Sequence, residues 1–170
     1  MRIWWTYAYL VSILVATGGA CGGDESQPSL EEYFGRVKVV IKRAEQRTAD
    51  DAAADPSGEN LRNWVRGRAD LLREVRDEIS HIEPPDEVAD DHNRLVDALS
   101  NLVAHVDEIL DRAAVARSEA ERIALAEGWL KNPAGNELED RVRIACDELQ
   151  RAADTRKIGV DLCYDPAPTE

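Results

Sequence analysis

From Ser29 onward, apolar residues return at every third or fourth position, and that period admits helices and excludes strands of useful length. Leu30, Tyr33, Phe34, Val37, Val40, Ile41, Ala44 and Thr48 form the first stripe, with Ser29 and Glu32 spaced as a capping box at its start. The helix is predicted to end near Ala54, where "DPSG" breaks the chain. A second stripe runs through Leu61, Trp64, Val65, Leu71, Leu72, Val75, Ile79 and Ile82. It stops at "EPPDE", because neither proline continues a helix unkinked. A third helix is predicted from near Asp86 through Val88, Leu95, Val96, Leu99, Leu102, Val103, Val106, Ile109 and Leu110. Short turns between long amphipathic helices make sequential neighbours antiparallel.

After Ala116 the pattern weakens. Ser118 and Glu121 offer a second capping box for a shorter helix reaching about Leu130, "KNPAGN" reads as a loop, and Asn136 is the expected cap of a last helix. That helix carries Leu138, Val142, Ala145, Cys146, Leu149 and Ala153. Aromatic residues are few, so the core is expected to be Leu, Val, Ile and Ala around Trp64, with Trp129 covering an edge.

The N-terminal segment has a different character. Arg2 is followed by an apolar run from Ile3 to Ala16, and no further charge occurs before Asp24. A basic start, an apolar centre and a small-residue exit describe a secretory signal over residues 1–20. Extended through Ala20 the run approaches the span of a transmembrane helix, but Gly18 and Gly19 disfavour that conformation. The small residues and cysteine of "ACGGDES" resemble the lipobox of bacterial lipoproteins, although Gly18 stands where an aliphatic residue is usual. The resemblance implies that Cys21 receives a lipid and begins the mature chain; ordinary cleavage after Ala20 is the alternative. Residues 21–28 then form a flexible tether, 29–165 a helical domain and 166–170 a disordered tail.

The cysteine count bears on this. Three cysteines in an exported chain leave one to be explained. Cys146 and Cys163 lie close enough in sequence to pair in an oxidising compartment, leaving Cys21 for lipid; a buried free Cys146 thiol is the alternative. A bridge closing a loop of that size contributes about 3 kcal/mol in the chain-entropy account. The expected fold is all-α: an antiparallel four-helix bundle with an accessory short helix and a C-terminal tail folded back so that Cys163 meets Cys146.

A net charge of −13 disfavours nucleic acid as a partner, since neutralising phosphates requires a basic face. It also opposes direct adsorption to an anionic membrane surface, so membrane attachment is expected through the lipid anchor.

Chemistry-bearing residues are sparse. A di-iron bundle needs two Glu-x-x-His pairs, and only Glu78 with His81 has that spacing, on the face opposite the Leu72 stripe. His92 and His105 are turned about 140° apart on one helix, too far to share an ion easily. His92 falls within about 20° of Leu99 on the apolar stripe. It reads either as a half-buried side chain bonded to a carbonyl or carboxylate, or as part of a ligand pocket. Arg68 is also misplaced in an apolar stripe, and either snorkels outward or grips an anionic ligand. An antiparallel turn at Pro84 and Pro85 brings His92 closer to Arg76 than to Arg68, which divides these two candidates. The acidic stretches "ADDAAAD" and "EVADDH" lack the spacing of a calcium loop, and no nucleophile, phosphate-loop or zinc motif occurs. No metal or cofactor is expected.

Two further stretches, "IEPPDEVADDHNRLVDAL" and "ACDELQRAADTRKIGVDLC", resemble secreted helical domains of bacterial envelope proteins. That resemblance implies a small helical fold with a terminal disulfide and implies no activity. The function expected is a non-catalytic, membrane-tethered lipoprotein that recognises an envelope protein or peptide through a helix face or groove. The alternative is binding of a small ligand or metal near His92.

Overall fold

Ser29 opens the first helix. Its hydroxyl accepts the Glu32 amide at 3.2 Å, and its carbonyl accepts the Tyr33 amide at 2.9 Å. The computed structural model describes residues 27–52, 59–130 and 132–163, and no strand occurs among them. Five α-helices follow one another: α1 (Leu30–Ala52), α2 (Glu59–Ser80), α3 (Ala89–Ala114), α4 (Glu119–Leu130) and α5 (Pro133–Thr155). The leader, Cys21, Leu61, Trp129 and the end of the tail lie outside what can be described at the side-chain level.

Ion pairs record the direction of the first two helices. Arg43 meets Glu78 at 2.6 Å and Arg47 meets Glu74 at 2.5 Å, so advancing a turn on α1 retreats a turn on α2, the antiparallel register. Exposed pairs of this kind contribute little energy each but report register clearly. The core continues the pattern. One cluster joins Tyr33, Phe34 and Val37 of α1 to Ile79 of α2, Leu95 and Leu99 of α3, and Leu149 of α5. A second joins Val65 and Ala69 near the start of α2 to Leu102, Val106 and Ile109 near the end of α3, with Ala126 of α4. Both α2 and α3 supply buried residues to each cluster, and α3 also packs against α2, α4 and α5, which makes it the central element. Each fully buried aliphatic or aromatic side chain here contributes about 1.5–3 kcal/mol of transfer free energy.

Three expectations need correction. Trp64 is not the centre of the core. It is half-buried beside the second cluster, its ring covered by the Arg68 guanidinium at 5.6 Å, and Tyr33 and Phe34 are the large fully buried side chains instead. The last helix does not wait for Asn136. Asn132 is the cap, its side chain accepting the Ala134 amide at 3.0 Å, and Pro133 starts the helix where its missing N–H has no partner to lose. Most of "KNPAGN" is therefore helical. Finally, α3 starts at Ala89 rather than Asp86, because a single 3₁₀ turn, Asp86–Val88, intervenes after Pro85 and Val88 leaves helical geometry at φ −130°.

The C-terminal tail folds back. Helix α5 ends with the Ile158 amide bonded to the Ala153 carbonyl and the Lys157 amide to that of Asp154, both at 3.0 Å, and Lys157 takes φ 59°. This is a Schellman close with a lysine in the left-handed position. Gln150 then holds the returning chain at both ends of its amide, donating to the Val160 carbonyl at 2.9 Å and accepting the Leu162 amide at 2.7 Å. Leu162 is completely buried, and Cys146 and Cys163 form a disulfide with Cα atoms 6.0 Å apart.

Candidate functional site

Helix α1 packs closely against α2, and α5 against α3, but α1 and α5 are not a closely packed pair. Between them the structure leaves a cleft of about 750 Å³, within the size range of small-molecule sites. Ile41, Ala44, Glu45 and Thr48 line it from α1; Arg68, Val75 and Ile79 from α2; Leu95 and Leu99 from α3; Val142 and Cys146 from α5, with Cys163 of the tail. The disulfide is thus part of the wall. The cleft reaches deep: Ile79, Leu95 and Leu99 line it although they are only 0%, 3% and 4% exposed.

Its few polar groups come from positions that the helical period turns inward. Glu45 lies four residues after Ile41 and three before Thr48, so all three share one face. One Glu45 carboxylate oxygen receives the Lys42 ammonium at 2.9 Å, a bond that holds Lys42 above the ordinary lysine range. The other oxygen, Oε1, is buried and has no hydrogen-bond partner. Arg68 donates to the Thr48 hydroxyl at 2.7 Å and stacks on Trp64. Glu139 and Arg143 stand at the α5 side, where Arg143 is engaged by Asp140 at 3.2 Å and Asp147 at 3.5 Å. Arg68 therefore neither snorkels free nor faces a carboxylate among the described residues.

His92 is elsewhere. It is 3% exposed, and its Nδ1 lies 3.0 Å from the Tyr33 hydroxyl, with the two rings edge to face at 5.8 Å. The partner is thus a phenol rather than the carbonyl or carboxylate expected. Burial pushes the His92 imidazole below its ordinary range, while burial and then the nearby Asp91 charge push the Tyr33 phenol above its own. His92 does not line the cleft, so the structure separates it from Arg68.

The remaining histidines carry no site. His81 is exposed, its Nδ1 2.6 Å from the Asp77 carbonyl, while Glu78 is taken by Arg43. His105 is half-buried, 3.5 Å from the Asn132 amide nitrogen. Among the described residues, no group of three or more His, Cys, Asp or Glu side chains is placed to hold a metal, and no helix is long and apolar enough to cross a membrane.

Glu45 and Tyr33 are the residues that sequence reasoning missed. Glu45 offers the same signal as Arg68, a charge inside an apolar stripe, whereas nothing local marks Tyr33 as the partner of a histidine 59 positions away. The chain matches no protein-family profile, no curated protein and no solved structure.

Proposed function

We propose that this protein is a non-catalytic binding module of the bacterial cell envelope, tethered by a lipid on Cys21, that holds an apolar guest in the cleft between α1 and α5. The observation that carries the reading is the cleft itself, which is lined mainly by apolar side chains from four helices around a space no part of the described chain fills. Leaving so much apolar wall in contact with water is costly unless something occupies it. The Cys146–Cys163 disulfide supports an extracytoplasmic location, because such bridges persist in oxidising compartments. The order of Arg2, the apolar run and Cys21 supports the anchor. We read α1, α2, α3 and α5 as a four-helix bundle with α4 as accessory, the α1/α5 seam being the one left open.

A second reading, recognition of an envelope protein or peptide through a helix face, is favoured by Val39 and Ile144, which are 58% and 48% exposed. The two readings separate in native mass spectrometry of full-length protein gently extracted from its own membrane. A diacylglyceryl mass on Cys21 together with one small non-covalent guest is the expected result. A bound protein chain in place of the small guest supports the second reading, and an unmodified Cys21 with an empty chain overturns both.

A further inference from the structure

The C-terminal tail runs inside the same seam that forms the cleft. Past the end of α5 the chain turns back. Val160 and Leu162 bond to Gln150, and Cys163 is joined to Cys146, a turn nearer the start of α5, so the tail travels antiparallel to that helix. On its other side Asp161 lies 3.8 Å from Lys42 of α1. Ile158, Val160 and Cys163 pack against the first core cluster and Leu162 belongs to it, so this stretch occupies the α1/α5 seam where the two helices do not pack closely. The cleft opens beyond Cys163, which is part of its wall.

The residues that follow are aimed along it. On α5 the cleft extends from Cys146 back to Glu139, and on α1 from Ile41 to Ala49. At about 1.5 Å per helical residue that is about 10–12 Å of wall, which about three or four residues of extended chain cover. The sequence there is Tyr164, Asp165, Pro166 and Ala167. Pro166 disfavours helical backbone at Asp165 and brings no N–H that would go unbonded against an apolar wall. Tyr164 supplies a ring with a polar tip. Asp165 comes level with Arg143, about a turn of α5 before Cys146. The Arg143 guanidinium, bonded to Asp140 at 3.2 Å and Asp147 at 3.5 Å, has donors to spare. Of the acidic lining residues, Glu45 is already met by Lys42 at 2.9 Å, and Glu139 is exposed to water.

Building on the proposed binding role, we infer that Tyr164–Ala167 is the cleft's own occupant in the guest-free protein, a tethered strap that a guest must displace. A segment joined directly to the wall competes at an effective concentration of about millimolar. The apparent affinity of a guest then falls in proportion to the fraction of chains whose cleft is open.

The test places p-benzoylphenylalanine, a photo-crosslinker, at position 164 of the full chain in its own membrane and maps the crosslinked peptide. Crosslinks should fall within residues 41–49 or 139–143. In parallel, the full chain and a chain ending at Cys163, both transferred into amphipol, are titrated with N-phenylnaphthylamine, a neutral apolar probe, and bound probe is counted by native mass spectrometry. The shortened chain should bind one probe at least about tenfold more tightly than the full chain. Asp165→Arg, which repels Arg143 and leaves the disulfide and Leu162 in place, should tighten binding about threefold, and it decides the matter if the shortened chain does not fold. Added probe should lower the crosslink yield. Crosslinks outside the cleft, no crosslinks, or equal probe affinity in the full, shortened and Asp165→Arg chains overturn the inference; one probe bound per chain, and lost in Ala44→Trp, then leaves the binding module standing. Crosslinks within the cleft with no probe bound by any of these chains make the tail a fixed part of the core, and the binding module falls together with the strap's displacement.

Discussion

The Tyr33 hydroxyl and the His92 Nδ1 lie 3.0 Å apart in the core, joining α1 to α3 through the only polar side chain among the fully buried aromatics and the only buried histidine of the described residues. Each satisfies the other, and neither has water to fall back on. Tyr33→Phe strands the imidazole nitrogen and is expected to destabilise the protein by about 1–3 kcal/mol, measured by urea unfolding. Adding His92→Leu to that variant should recover much of the loss, since two apolar partners need no hydrogen bond. A double variant less stable than Tyr33→Phe alone would show that His92 matters for another reason.

The same pair makes stability depend on pH at both extremes. The folded His92 pKa lies below its unfolded value of about 6.5, so the unfolded chain binds the proton first as pH falls, and stability should drop progressively below that pH. At the alkaline end the folded Tyr33 pKa is raised, so the unfolded chain loses its proton first and stability should fall as pH rises past about 10. Urea midpoints across this range should show both slopes, with His92→Leu flattening the acid limb and Tyr33→Phe the alkaline one.

Removing the disulfide by Cys146→Ala with Cys163→Ala should cost about 3 kcal/mol, as a closed loop of that size implies. Gln150, the burial of Leu162 and the Lys42–Asp161 pair at 3.8 Å would then hold the returning tail. Hydrogen exchange should accelerate at the Val160 and Leu162 amides before it does in α3, whose core contacts are untouched. Unchanged exchange there would mean that burial of Leu162 suffices to hold the tail.

Lys157 sits at φ 59° to close α5, a conformation that costs a side-chain-bearing residue about 1 kcal/mol relative to glycine. Lys157→Gly should therefore raise the melting temperature, corresponding to about 0.5–1 kcal/mol, whereas Gly159→Ala, at a position where an added Cβ meets nothing within 4 Å, should change it little.

Much of this fold is legible in the chain itself, and the places where it is not have separate causes. The stripes of the first three helices and the Ser118 cap were legible because helical periodicity is a local property repeated over many residues. Sequence spacing alone misplaces the start of α5 because "NPAGN" contains two asparagines able to cap, and the choice between them depends on Pro133. The end of α5 was obscured for a related reason: the glycine that would mark a Schellman close stands at Gly159, two residues beyond the left-handed Lys157.

By itself, the sequence determined that the described chain is helical, roughly where it turns, that Cys146 and Cys163 lie near each other in the chain, and that His92 and Arg68 are out of keeping with their apolar stripes. Period, turn chemistry and composition act over a few residues and need no partner to be recognised. Only the tertiary structure decided that His92 bonds to Tyr33, that Arg68 reaches Thr48, that Gln150 holds the tail, and that α1 and α5 stand far enough apart to leave a cleft. Those are relations between faces of separate helices, settled by how all of the side chains share one interior.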